Sequence, residues 1–290
     1  MDAPWFDLQS HSVYSDGALA PSDVARHAAA AGVQLLALTD HDSVEGVDEA
    51  LVAAAEAGIA LVRAAELSAV HDVSEDLHVL GYGVDHHDPA FAERTAGARA
   101  ERVTRATAMG ARLRALGFEV DERPLEQRRL AGKAIGRPHL AAAVIAHAAN
   151  GERLRSEGVD RVETFIPAYL IPGRPGYLPR THPSVEEAIG WIHDAGGVAV
   201  WAHPFWDLHS DDEVLEAIDA FRAWGLDGVE CFYPTHTAAQ AGLLVSRCEL
   251  LGLLRTGSAD FHGPDHGLFS RFRAFELYGY EPDLGPIADS

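Results

Sequence analysis

Short apolar runs alternate along this chain with stretches whose apolar residues recur at helical spacing. Residues 5–8 form the first run, and 21–31 reads as a helix with Pro21 in its first turn and Gly32 as its stop. The run 33–38 is a buried strand ending in Thr39-Asp40-His41-Asp42, and 44–57 is a second helix closed by Gly58. Strands at 59–64 and 77–84 follow; the first leads to Glu66 and the second carries His78. Past a long interruption the rhythm returns. Ser184 to Glu187 is a capping box, with Val185, Ala188, Ile189 and Ile192 on one helical face behind it. Strand 198–202 ends in His203-Pro204, and helix 211–224 leads to strand 228–232 and Thr235-His236. Helix 238–251 leads to strand 253–256, which enters Gly257-Ser258-Ala259-Asp260-Phe261-His262.

Strand–helix alternation with apolar strands implies a parallel sheet covered by helices, an α/β fold. Seven strands favour a barrel over an open sheet, and no glycine-rich phosphate fingerprint follows the first strand, which disfavours a dinucleotide-binding fold. His78 lies near the start of its strand, so either that strand runs the other way or its boundary is misplaced. The barrel is assigned to residues 1–87 and 184–290. Residues 88–183 read as an inserted, mainly helical subdomain covering one barrel mouth. Its long helix, 93–116, has Val103, Ala106, Leu113 and Leu116 on the apolar side, and Gly136-Arg137-Pro138-His139 and the 171–177 loop are rigidified by Pro and Gly. Between Arg94 and Arg137 eleven Arg or Lys stand against five Asp or Glu, a basic segment whose bland reading is a solvated helix face.

Composition narrows the function. The formal charge of −21 argues against long nucleic acid and anionic membranes as partners. Cys231 and Cys248 sit in apolar stretches and need not pair, which suits a reducing compartment. The opening residues lack a basic region followed by an apolar one, and no apolar run reaches membrane-spanning length, so a cytoplasmic protein is expected.

Sixteen histidines is a high count, and their positions matter more. His11, His41, Glu66, His78, His203, Asp260 and His262 fall at or near strand ends, most of them where parallel barrels collect active sites. Asp16 follows in the turn after the first strand, and Gln9 alternates with His11, so both point to one face. One such residue is more often a solvated histidine or a helix cap. Eight imidazoles and carboxylates gathered this way point to a multinuclear metal site.

The stretches DLQSHSVYSDG, ALTDHDSVEG, AAELSA, LHVLGYG, GRPHL, PGRPGY, VWAHP, GVECF and GSADFHG, in this order, resemble the PHP (polymerase and histidinol phosphatase) family, in its branch of small nucleotide phosphoesterases. The resemblance covers nearly the whole chain. It implies a distorted (β/α)7 TIM-like barrel, the PHP fold, with a helical insertion and two or three divalent ions, manganese, iron or zinc. It groups the ligands as Gln9, His11, Glu66 and Asp260; Glu66 bridging to His78 and His203; and Asp16, His41 and His262. The family's first motif usually reads His-x-His, and Gln9 stands at its leading position. Two roles are open to Gln9, ligation through its carbonyl oxygen or a hydrogen bond to metal-bound water.

The implied activity is hydrolysis of a phosphomonoester by metal-activated hydroxide. The substrate expected is a small nucleotide: a nucleoside monophosphate, a 3′,5′-bisphosphorylated nucleoside or the end of a short oligonucleotide. Arg137, His139 and Arg174 are candidates for gripping phosphate, and His236 for binding it or protonating the leaving group, with a solvated surface role as the alternative for each. Phe205, Trp206 and Tyr233 are candidates for stacking a base, against ordinary packing. The rival readings are a histidinol-phosphate-type phosphatase and a non-catalytic metal or nucleotide sensor.

Overall fold

A computed structural model describes residues 4–72, 74–130, 135–180 and 183–289. Seven strands form one sheet in chain order: β1 (Phe6–Asp7), β2 (Leu35–Leu38), β3 (Ala60–His71), β4 (Ser74–Tyr82), β5 (Val198–Trp201), β6 (Gly228–Phe232) and β7 (Leu254–Gly257). The sheet curls into a nearly closed barrel. Leu8 N–H donates to the Gly257 carbonyl at 3.3 Å, and Ser10 and Phe261 form a parallel bridge just beyond the strands.

All neighbouring strands pair in parallel except β4, which is antiparallel to both β3 and β5. The fully parallel sheet expected from the alternation is therefore corrected at this strand, and both readings left open for His78 hold, since the strand is reversed and starts at Ser74, three residues before the expected point. The reason is chain length. Only residues 72 and 73 separate β3 from β4, enough for a hairpin, whereas a parallel partner needs a crossover of about a dozen residues. The hairpin also lengthens β3, so Glu66 lies inside a strand and not beyond its end. Glu66 pairs with Leu80, and Ser68 with His78, which sets His78 diagonally beside Glu66 on one face.

The chain divides into two compact units, Met1–Ala96 with His182–Ser290, and Gly97–Thr181. In the first, helices α1 (Pro21–Ala30) and α2 (Val47–Ala57) bury Val24, Ala28, Ala50 and Ala54 with Leu36 and Leu61 in a side cluster of the core. The main core draws on β1–β6, with Leu254 of β7 packed against it, and includes Phe6, Leu35, Leu67, Val79, Trp201, Phe221 and Phe232. A Cβ on Gly81 of β4 would come within 2.8 Å of Ile192, so glycine there admits the helix Val185–Asp194.

Helix α3 (Pro89–Ala115) starts four residues before the expected point, because the Asp88 carboxylate accepts from the N–H groups of Ala90 and Phe91. It continues into the second unit, where α4 (Glu122–Leu130), α5 (Arg137–Ile145), α6 (Gly151–Glu157) and α7 (Val162–Tyr169) build a separate core around Leu113, Phe118, Leu140 and Phe165. The remaining helices, α8 (Val185–Asp194), α9 (Pro204–Asp207), α10 (Asp211–Ala223) and α11 (Ala238–Leu251), belong to the barrel. Ser184 caps α8 and accepts from Glu187 N–H, as its sequence predicts. Among the described residues no helix is long and apolar enough to cross a membrane.

Candidate metal centre

Glu66 is the middle of the site. It is fully buried, and histidine nitrogens surround both of its oxygens. His78 Nδ1 lies 2.8 Å and His203 Nε2 3.3 Å from Oε1, while His11 Nε2 lies 3.1 Å and His41 Nδ1 3.4 Å from Oε2. Asp260 Oδ1 is 3.1 Å from the same His11 nitrogen. Asp16 faces His41 Nε2 at 3.7 Å and His262 Nε2 at 3.4 Å. Eight of the nine ligand candidates thus converge. Six of them form two groups that share His41: His11, Asp16, His41 and His262, and His41, Glu66 and His78, each with ligand atoms within 4.8 Å of one another.

Gln9 converges differently. Its amide nitrogen donates to Glu66 Oε2 at 3.0 Å, and its oxygen lies 3.2 Å from the oxygen of Ser258, whose one hydroxyl proton goes to Glu230. The partner seen for its amide nitrogen is Glu66 itself, which neither of the two roles open to it named.

Neighbouring side chains fix which nitrogen each histidine offers. The Ser15 hydroxyl gives its one proton to Asp40 Oδ1 at 2.6 Å, so it can only accept from His11 Nδ1, 3.2 Å away. His11 therefore carries a proton on Nδ1, which leaves Nε2, facing Glu66 and Asp260, as the nitrogen it could offer an ion. His262 is set likewise, its Nδ1–H donating to the Asp260 carbonyl at 2.7 Å. Asp40 also accepts from the N–H and hydroxyl of Ser12, which stiffens the turn leading to Asp16. Backbone strain gathers here too. His203, Asp260 and Asp42 have φ of 33°, 53° and 51°, the left-handed region that Asp and His tolerate better than most side chains.

The residues fit a divalent ion. Bonds of about 2.0–2.2 Å separate neighbouring ligand atoms by roughly 3–3.5 Å, the spacing found around Glu66. His11 Nε2, Asp16 Oδ1, His41 Nδ1 and Asp260 Oδ1 are buried without hydrogen-bond partners among the described residues, although they face one another. The electrostatics agree. Burial disfavours a charged Glu66, yet His41 and His78 outweigh it and hold its pKa well below the usual carboxylate range. Burial disfavours a charged His11 as well, but Asp260 and Glu66 raise its pKa. That concentrated negative charge is what a bound cation would neutralise.

His236 is buried, not a solvated loop residue. Its Nδ1–H donates to the Cys231 carbonyl at 3.1 Å, and burial pushes its pKa down to about 4, so at neutral pH Nε2 is an acceptor. Phe205 packs in the core, and Tyr233 donates to Asp260 Oδ2 at 2.8 Å, so neither is a free stacking face. Trp206, 46% exposed, is the aromatic candidate that remains open to solvent. The phosphate candidates lie in the Gly97–Thr181 unit. Arg137 is the first residue of α5, His139 Nδ1 accepts from Gly136 N–H at 3.1 Å, and Arg174 is exposed in a turn.

Residues 7–122 match the PHP domain. A 3′,5′-nucleoside bisphosphate phosphatase of Chromobacterium violaceum is 36% identical over 285 residues, which cover 97% of this chain and 93% of that one. The chain belongs to the PHP family. It is a hydrolase acting on phosphoester bonds, and it carries residues able to hold divalent metal. A 5′-3′ exoribonuclease of Haemophilus influenzae is 31% identical over 259 residues, 89% of this PHP chain and 90% of its own. Among solved structures, an amidohydrolase of Chromobacterium violaceum with bound sulfate superimposes with a TM-score of 0.81 at 33% identity, covering 98% of this chain and 93% of that one. A Bifidobacterium adolescentis protein, provisionally named a metal-dependent phosphoesterase, gives 0.75 at 30% identity, with 93% of each chain covered.

The motifs of this PHP chain give its ligand candidates but not their supports. Asp7 accepts from the N–H groups of Ala259 and Arg273, and burial pushes its pKa to about 7. Glu230 accepts from His203 N–H at 2.8 Å and from the Ser258 hydroxyl at 2.5 Å, and burial pushes its pKa to about 8. A signal was available for both, a lone carboxylate inside an otherwise apolar strand.

Proposed function

We propose that this PHP enzyme removes phosphate from a small nucleotide: a nucleoside monophosphate, a 3′,5′-bisphosphorylated nucleoside or the 5′ end of a short oligonucleotide. The observation that carries the reading is the 36% identity with the bisphosphate phosphatase, sustained over 97% of the chain and thus through both compact units. Exposed Trp206 supports a nucleoside leaving group, since its ring lies 6.3 Å from Tyr233, whose hydroxyl holds Asp260.

Two or three ions, manganese, iron or zinc, would be held by His11, Asp16, His41, Glu66, His78, His203, Asp260 and His262. When bound, such ions activate water as a nucleophile and neutralise the phosphate oxygens. The protein's own part is positional. Ser15 and the Asp260 carbonyl set the tautomers of His11 and His262, Gln9 holds Glu66 in one rotamer, and Tyr233 orients Asp260. His236, neutral with Nε2 as its acceptor, suits a hydrogen bond from a substrate hydroxyl better than proton donation to the leaving group. Phosphate gripping by Arg137, His139 and Arg174 is carried by their motifs.

The test is phosphate release by metal-stripped protein reloaded with Mn²⁺. kcat/KM would be compared for a 3′,5′-bisphosphorylated nucleoside, a nucleoside monophosphate, a 5′-phosphorylated trinucleotide and histidinol phosphate. Preference for a nucleotide is expected. A higher value for histidinol phosphate would overturn the substrate reading, and no turnover of any of them would favour a sensor.

A further inference from the structure

A second group of metal-type ligands lies outside the centre and shares no residue with it. Asp48 stands in the first turn of α2, and His86 and His87 in the connection from β4 to α3. His86 Nε2 is 2.9 Å and His87 Nε2 3.5 Å from the same Asp48 oxygen, Oδ1, and the two rings lie 4.0 Å apart. One carboxylate oxygen receives the hydrogen bond from His86, while the second imidazole stands beside it beyond normal hydrogen-bond length. The donor atoms of all three residues fall within 4.8 Å.

The backbone that presents the two histidines is fixed at both ends. Asp85 N–H donates to the Ala195 carbonyl at 2.8 Å, and its carboxylate accepts from His87 N–H at 3.0 Å. On the other side Asp88 caps α3. Adjacent residues usually diverge; here the anchored connection turns both rings to one point. Two imidazoles with one carboxylate form the ligand set of borderline divalent ions, Zn²⁺ above Mn²⁺. Asp48 and His87 are each 68% exposed at the side chain, which leaves room for water to complete the coordination of an ion. His86 Nδ1 is buried without a partner among the described residues, so the ring lacks the outer brace that strengthens a ligand, and the affinity is moderate.

We propose that Asp48, His86 and His87 form a second divalent-cation site, selective for zinc-like ions, which clips the start of α2 to the β4–α3 connection. The test is calorimetric titration of Zn²⁺ into the metal-stripped full chain, wild type beside the double variant His86→Ala/His87→Ala. The central ligands are common to both proteins, so the difference reports this site alone. The wild type should bind one more equivalent. Asp48→Asn, at an exposed position with little risk to folding, should weaken that equivalent by at least about tenfold. Phosphate release with Mn²⁺ should be unchanged in all three. Equal zinc stoichiometry and affinity in wild type, Asp48→Asn and the double variant would overturn the proposal, as would loss of the extra equivalent only together with loss of Mn²⁺ at the centre.

Discussion

Gln9 shows how much one side chain can change in a cluster of this density. Its nitrogen is committed to Glu66 Oε2, so the amide braces the shared carboxylate where an imidazole would offer a lone pair. Gln9→His should therefore raise the affinity or the number of ions bound, because it adds a nitrogen donor beside His11 with little change in volume. Metal titration of the stripped variant against stripped wild type checks this, and superimposable isotherms would mean that the position never meets an ion. The residues that make chemistry were legible in the sequence because imidazoles and carboxylates are conspicuous at the ends of apolar strands. Those that hold them were harder to read. Ser15, Ser258 and Tyr233 are ordinary residue types, and their value comes from the hydrogen bonds they make, which no spacing announces. Asp7 and Glu230 were readable in principle, since a buried carboxylate in an apolar strand is costly and calls for a reason.

At the scale of elements, the site is made by one irregular hairpin and a set of strand-end turns. The β3–β4 hairpin was legible as two strands but not as a hairpin, because periodicity carries no strand direction. Its reversal puts His78 next to Glu66 through sheet register, whereas the other ligands arrive through turns. The first of those turns is the tightest. A Cβ on Gly17 would lie 2.2 Å from the His11 carbonyl oxygen, a contact with backbone that no rotamer can relieve. Gly17→Ala should therefore displace the turn carrying Asp16 while leaving the barrel core intact. Metal content should fall, with the group of His11, Asp16, His41 and His262 affected first, and far-UV circular dichroism should match wild type. Full metal content in Gly17→Ala would show that Asp16 is not needed to hold the ions.

Over the whole molecule, charge and core are divided unevenly. The barrel unit has 8 Arg or Lys against 35 Asp or Glu, a net of −27, and the Gly97–Thr181 unit 15 against 9, a net of +6, which together give the −21 of the chain. The argument from total charge against nucleic acid thus applies to the barrel, while the other unit is mildly basic. The same division runs through the apolar residues, since Leu113, Phe118, Leu140 and Phe165 cluster apart from the main core of the barrel unit. Every candidate ligand of the central ions belongs to the barrel unit. A ligand that binds only the folded state stabilises the cooperative unit that holds it, by about 2.7 kcal/mol when its concentration is 100 times its Kd. Thermal unfolding of the stripped chain should then resolve into two transitions, as separate cores allow. Mn²⁺ should raise one by several degrees and leave the other near its metal-free position. Calorimetry with and without Mn²⁺ distinguishes this from the alternative, a single transition that moves as a whole. That outcome would mean that helix α3, continuous across the boundary, couples the two cores into one folding unit.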